Sequence, residues 1–174
     1  MAEKLVKVAE LAEKNYWNYL QEWADAHEMV IPQGARIKEQ QSFASFCDEL
    51  SELETDAARR RGWVPAALFA LINGSGEVLG VAQLRYELNA DLLRHGGHIG
   101  YGVRPSERRK GYASQLLTLT LNEAKRIGLP RVLVTCDKTN IGSARTIVKN
   151  GGQLENEINE SNRMTQRYWI ELNR

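Results

Sequence analysis

The sequence predicts an α/β fold with one mixed, mostly antiparallel sheet of six or seven strands and helices on both faces. Three observations predict it. Two β-rich runs, Ala66–Ile72 and Val78–Tyr86, are joined by Asn73-Gly74-Ser75-Gly76, and Asn and Gly accept the positive φ that tight hairpin turns need. Arg131–Cys136 (RVLVTC) is almost continuously apolar, the pattern of a strand buried on both faces. Between His98–Val103 and Arg131–Cys136 stands a helical period, and a strand reached through a crossover helix lies parallel to the one it left.

Taken in order, Lys4–Val8 suits a short first strand. Tyr16, Tyr19, Leu20, Trp23 and Ala24 then recur at i, i+3, i+4, i+7 and i+8, predicting an amphipathic helix over roughly residues 10–27. Met29–Ala35, with Pro32 and Gly34, reads as a loop. Ser42 stands before a second helical pattern, Phe43, Phe46, Cys47, Leu50, Leu53 and Ala57, which ends near Arg59–Arg61 and Gly62. The aromatic stripe Tyr16, Tyr19 and Trp23 is read as core, with Trp17 off it. After the hairpin, Asn89–His95 is a polar excursion with a short helical turn. His98–Val103 is a strand in which Ile99, Tyr101 and Val103 alternate with Gly100 and Gly102, leaving one face nearly bare for a ligand. From Gly111 a helix carries Ala113, Leu116, Leu117, Leu121, Ala124 and Ile127 on one face and stops at Gly128, with Pro130 beyond. Asn140 or Ser143 starts a helix to Lys149, ended by Asn150-Gly151-Gly152. Gln153–Ile158 and Thr165–Leu172 close the chain as a hairpin through Asn159–Asn162.

The 174 residues, 43% hydrophobic and 26% charged, suit one domain over 1–174. Twenty-three Lys and Arg against 22 Asp and Glu leave +1, so the global basic field of a dedicated nucleic-acid binder is missing. Cys47 and Cys136 are too few and too far apart for a disulfide framework or a zinc site, which points to the cytoplasm. No apolar stretch reaches signal-peptide or membrane-span length, so no membrane partner is expected.

Chemistry concentrates in His98–Asn122. Pro105 ends the strand, and Arg104, Arg108, Arg109 and Lys110 place four cations within seven positions immediately before a helix. The first four N–H groups of a helix lack internal partners and its dipole is positive there, so an anion at Arg108–Ala113 would be held by backbone and side chains together. Gly111 lets the main chain approach and the small Ala113 leaves room. A solvated basic turn is the plainer reading of the charges alone. A nucleotide P-loop is excluded because Gly-x-x-x-x-Gly-Lys-Ser/Thr does not occur, and a dinucleotide fingerprint fails because Pro105 takes the third glycine's place.

Arg108-Arg109-Lys110-Gly111-Tyr112-Ala113 fits Arg/Gln-x-x-Gly-x-Gly/Ala and resembles the acetyl-CoA pyrophosphate loop of the GCN5-related N-acetyltransferase (GNAT) family. Asn140-Ile-Gly-Ser-Ala-Arg-Thr-Ile-Val-Lys-Asn-Gly151 is similar to that family's second helix motif. The resemblance covers roughly residues 63–174 well, and the wording around Gly97–Ala113 is similar to a branch of mostly uncharacterised acetyltransferases. It implies that the strands at His98–Val103 and Arg131–Asp137 splay and hold the pantetheine arm of acetyl-CoA between them. Backbone at Gly102 and Val103 would pair with the arm, Arg108, Arg109, Lys110, Gly111, Tyr112 and Ala113 would hold the pyrophosphate, and Asn140 would reach the arm near the thioester. The implied activity is acetyl transfer to a primary amine on a small molecule or peptide, with no metal, and a homodimer is compatible with it. A non-catalytic acyl-CoA sensor and a small nucleic-acid-binding module are the alternatives.

One departure stands out. The tyrosine that many members carry seven residues after the Asn is Ile147 here. His98, with a reference pKa of ~6.5, is then a candidate proton acceptor, and Tyr101, on the opposite face of the strand, a second catalytic candidate. A satisfied structural role for His98 is the bland alternative.

Overall fold

The computed structural model describes residues 2–173. The strands are β1 (Lys4–Lys7), β2 (Ala66–Ile72), β3 (Val78–Arg85), β4 (Ile99–Val103), β5 (Arg131–Asp137), β6 (Gln153–Glu160) and β7 (Arg163–Glu171). The helices are α1 (Glu13–Asp25), α2 (Phe43–Leu53), α3 (Ala57–Arg60), α4 (Ala90–Arg94), α5 (Tyr112–Arg126) and α6 (Ile141–Lys149). The predicted second helix is interrupted after Leu53. There the Thr55 hydroxyl donates to Glu52 O and accepts from Ala57 N–H, a local turn that competes with helical bonding before α3 begins. Ser42 caps α2 as expected, its Oγ accepting from Ser45 N–H at 3.1 Å.

β1-β2-β3-β4 form one antiparallel ladder and β5-β7-β6 another. A single mixed sheet was expected, and the ladder is instead broken between β4 and β5. They touch where His98 N–H donates to Leu133 O at 2.7 Å, and further along β4 the Tyr101 hydroxyl meets Ser143 of α6, beyond the end of β5, so the strands run in the same sense. No ladder joins them beyond that contact. The result is a mostly antiparallel sheet with a splayed parallel pair.

Both faces of the first ladder are buried. Ala67 and Phe69 of β2 pack with Leu117 and Leu121 of α5, while Leu68 and Ala70 pack with Tyr16, Tyr19, Trp23, Phe46 and Leu50 of α1 and α2. The aromatic stripe is therefore core: the Tyr16 ring stacks against Tyr19 and Phe46. Trp17 lies outside it, its indole N–H on Glu13.

The bare face of β4 is not free for a ligand. A Cβ at Gly100 would lie 3.2 Å from Pro32 Cβ, and one at Gly102 would lie 2.4 Å from Ile31 O. The glycines admit the chain's own loop after α1. A ligand at β4 must use its open backbone edge instead.

Candidate active site

The turn after β4 is built for a close approach to the start of α5. Pro105–Glu107 form one 3₁₀ turn, Arg109 takes φ 62°, and Gly111, at φ 88°, is the residue from which α5 begins. Gln115 N–H makes a helical bond to Gly111 O, so the N–H groups just before it have no preceding helical carbonyl. Gly111, Ala113 and Ser114 line a cavity of about 480 Å³ between this turn, β4 and α6. Tyr101, Gly102, Val103, Arg108, Arg109, Gly111, Ala113 and Asn140 all line it, and His98, Lys110 and Tyr112 do not.

The four predicted cations divide sharply. Arg104 is bonded to Glu22 and to Val78 O, which ties the turn to α1. Arg108 forms a bidentate pair with Glu28 (2.9 and 2.6 Å), donates from Nε to Val103 O, and lies 5.0 Å over the Trp23 ring. Its hydrogen bonds hold the Glu28 carboxyl below the usual range, so the charge of Arg108 is answered within the fold. Lys110 turns to Glu107, and Tyr112 packs beside Leu116. Arg109 alone makes no ion pair among the described residues. Two more cations without an ion pair among the described residues line the cavity from α6, Arg145 and Lys149, and the sequence alone does not assign them to it. Their i, i+4 spacing, which sets both on one helix face, was the available signal.

The backbone edge of β4 has a definite parity. Arg85 N–H donates to His98 O and Arg104 N–H to Leu79 O, so within β4 the even-numbered residues direct their peptide groups to β3, whereas His98, just before the strand, sends its N–H to Leu133 O. By alternation the N–H and C=O of Tyr101 and the N–H of Val103 face the splay, while Val103 O is taken by Arg108 Nε. The peptide groups of Gly102, expected to pair with the pantetheine arm, are directed to β3, and those of Tyr101 are not. Asn140 caps α6, its Oδ1 accepting from Ser143 N–H at 3.1 Å, which leaves its NH₂ to donate.

The Tyr101 hydroxyl is 2.9 Å from Ser143 Oγ, and burial pushes its pKa up to about 12. It is a protonated donor throughout the neutral range. Ile147, by contrast, is fully buried in the core.

His98 is a correction. Its ring is 6% exposed, packs edge-on to Trp169, and its Nδ1 accepts from Leu133 N–H at 2.9 Å. The only basic nitrogen of the neutral ring is therefore occupied in pinning β4 to β5 and cannot take a substrate proton. Burial, with a smaller effect from the Arg85 guanidinium, lowers its pKa to about 4. The unfolded chain then binds a proton near pH 6.5 that the native chain refuses, so the stability from this site is complete above pH 6.5 and is lost as pH falls towards 4. His98→Gln is expected to leave kcat within a few-fold of wild type and to flatten the dependence of Tm on pH between 6.5 and 4. Thermal melts across that window check it.

A family model for an acetyltransferase (GNAT) domain matches residues 6–153. No curated protein matches the sequence. Among solved structures, the chain is similar to the ribosomal-protein-S5-alanine acetyltransferase of Vibrio fischeri, at 15% identity over 98% of this chain and 92% of that one, with a TM-score of 0.67. It is similar to yncA of Salmonella typhimurium, solved with its cofactor acetyl-CoA, at 15% over 99% and 95%, TM-score 0.64. It is also similar to mutant forms of the spermidine/spermine N-acetyltransferase SpeG of Vibrio cholerae, at 15% over 98% and 95%, TM-score 0.64. At such identities these likenesses speak to the fold, and no helix among the described residues is long and apolar enough to cross a membrane. A glycine-started α5 beside a splayed strand pair, Asn140 capping the next helix, and a family match over most of the chain lead to one conclusion: it belongs to the GNAT acetyltransferases, enzymes that take their acyl group from acetyl-CoA.

Proposed function

We propose that residues 1–174 form one domain that transfers acetyl directly from acetyl-CoA to a primary amine in a ternary complex. The observation that carries this reading is the composition of the cavity beside α5: three cations without ion pairs among the described residues, Arg109, Arg145 and Lys149, line it together with the open edge of β4 and the Tyr101 hydroxyl. A diphosphate fits the first set and an extended amide chain the second.

The cofactor supplies an acyl group already activated as a thioester. The remaining roles fall to the chain. The α5 N–H groups and the three cations hold the anionic end. Backbone N–H groups of Tyr101 or Val103 stabilise negative charge developing on the acyl oxygen without an ionised side chain. The Tyr101 hydroxyl gives its proton to the departing sulfur, a group akin to a Cys thiol of pKa ~8.5 that needs little assistance, and its phenolate regains the proton that the attacking nitrogen sheds as it becomes an amide. An attacking amine must first lose its own proton, and with His98 committed to the backbone that proton leaves to water.

Burial raises the pKa of both Cys47 and Cys136 above the ordinary thiol range, which keeps them as poor nucleophiles and supports direct transfer. The test is thiol release with acetyl-CoA and a panel of amino acids, polyamines, aminoglycosides and peptides. Amine-dependent release is the expected result. Binding of acetyl-CoA without release for any amine would make the protein a sensor, and an acetylated cysteine trapped without acceptor would overturn direct transfer.

A further inference from the structure

A second cavity, of about 470 Å³, opens on the other face of the sheet at the end of β3. The faces follow from alternation. Ala82 and Leu84 of β3 pack on the α5 side, so Gln83 and Arg85 face the α1–α2 side, where they line this cavity. Phe46, Leu50 and Leu53 of α2 give it an apolar wall, and Trp63, 53% exposed, contributes an aromatic one.

Its polar feature is Arg85, half-buried and without a carboxylate partner among the described residues. Nη1 donates to Gly96 O (3.2 Å) and Gly97 O (3.0 Å), and Nη2 donates to Gln83 Oε1 (3.3 Å). A guanidinium carries five N–H donors, so one on Nε and one on Nη2 have no partner among the described residues. Two N–H groups on adjacent nitrogens of a planar fork match the two oxygens of a carboxylate. A cation withdrawn from water without a counter-anion is costly, and a ligand that supplies one relieves that cost.

The other charges around the cavity do not supply it. Lys38 and Glu49 are bonded to each other. Among the described residues Arg36 donates only to Val30 O, and Asp91 is the one lining acid without an ion pair. Two uncommitted cations against one acid favour an anion. A polyamine would add like charge.

The position connects the cavity with the reaction. Arg85 holds the Gly96–Gly97 turn at the point where β4 and β5 begin to splay, and Gln83 pairs across from Gly100. Neighbouring strands are ~4.8 Å apart, so a ligand held here lies about one strand from the open edge of β4.

We propose that this cavity receives the carboxylate of the acceptor, making the substrate a primary amine that carries a carboxylate on an apolar body, an amino acid or close analogue rather than a polyamine. The substrate assignment rests on the acetyl-transfer reading above, whereas carboxylate binding itself does not.

The test therefore has two arms. In the first, calorimetry measures binding of 3-phenylpropionate, a carboxylate with no amine, to the full chain. Saturable binding is expected, weakened about ten- to hundredfold in Arg85→Met, with acetyl-CoA affinity retained as the check on folding. In the second, wild-type thiol release is compared for phenylalanine and leucine against their amides and against spermidine. The acids are expected to be favoured at least ~10-fold in kcat/KM over the amides, with spermidine inactive. Equal rates for acids and amides, preference for spermidine, or no binding of the carboxylate overturns the proposal even where transfer occurs. Carboxylate binding that depends on Arg85, with no thiol release for any amine, upholds the site and overturns acetyl transfer instead. Should Arg85→Met fail to fold, the wild-type acid–amide comparison decides.

Discussion

Gly111→Glu is expected to abolish measurable acetyl-CoA binding, raising Kd by ~10³-fold or more, while the protein stays folded. Gly111 holds φ 88° at the residue from which α5 starts, a conformation that costs an L-residue about 1–2 kcal/mol. In a chain of this length that lowers Tm by a few degrees. A Cβ there would meet nothing within 4 Å, so the side chain has room, and the room it enters is the cavity that Gly111 lines. The loss in binding is consequently electrostatic as well as steric. A carboxylate placed about 4 Å from a phosphate repels it by about 4 kcal/mol at the effective dielectric of a protein surface, close to a thousandfold in affinity. Gly111→Asn, whose side chain tolerates positive φ and carries no charge, separates the two effects and is expected to lose much less. Calorimetry on both variants, with thermal melts beside it, is the measurement. Unchanged affinity in Gly111→Glu would refute the assignment of this loop to the pyrophosphate.

Tyr101→Phe is expected to lower kcat by about 10²-fold with the KM for acetyl-CoA little changed. The ring stays to fill its place beside Leu116 and Cys136, and only the proton donor is lost. With a pKa near 12, the hydroxyl gives the wild-type rate profile no alkaline limb of its own below about pH 11. Ser143→Ala removes the partner that orients the hydroxyl and is expected to have a smaller effect of the same kind. Steady-state kinetics on both variants decide the role. A Tyr101→Phe enzyme at wild-type kcat would mean that the thiolate departs unassisted.

Much of this protein was legible in its residues alone, because the signals concerned were local. Hairpin chemistry at Asn73–Gly76, the capping Ser42 and Asn140, the aromatic stripe of α1 and the cation-Gly-x-Ala start of α5 each act within a turn or two of chain. What the tertiary structure alone decided is which charges and donors remain free, since that depends on partners distant in sequence. Arg108 reads as the first cation of an anion loop, yet Glu28, 80 positions earlier, answers its charge. His98 reads as a base, yet Leu133 N–H, 35 positions later, takes its lone pair. Gly100 and Gly102 read as room for a ligand, yet the loop at Ile31 and Pro32 fills it. Arg145 and Lys149 enter the cavity because α6 packs against α5. Arg85 keeps two donors without a partner among the described residues because no carboxylate of theirs folds back to meet it. Spacing along the chain can place a side chain on a face, but only the packed fold determines whether another part of the protein has already used it.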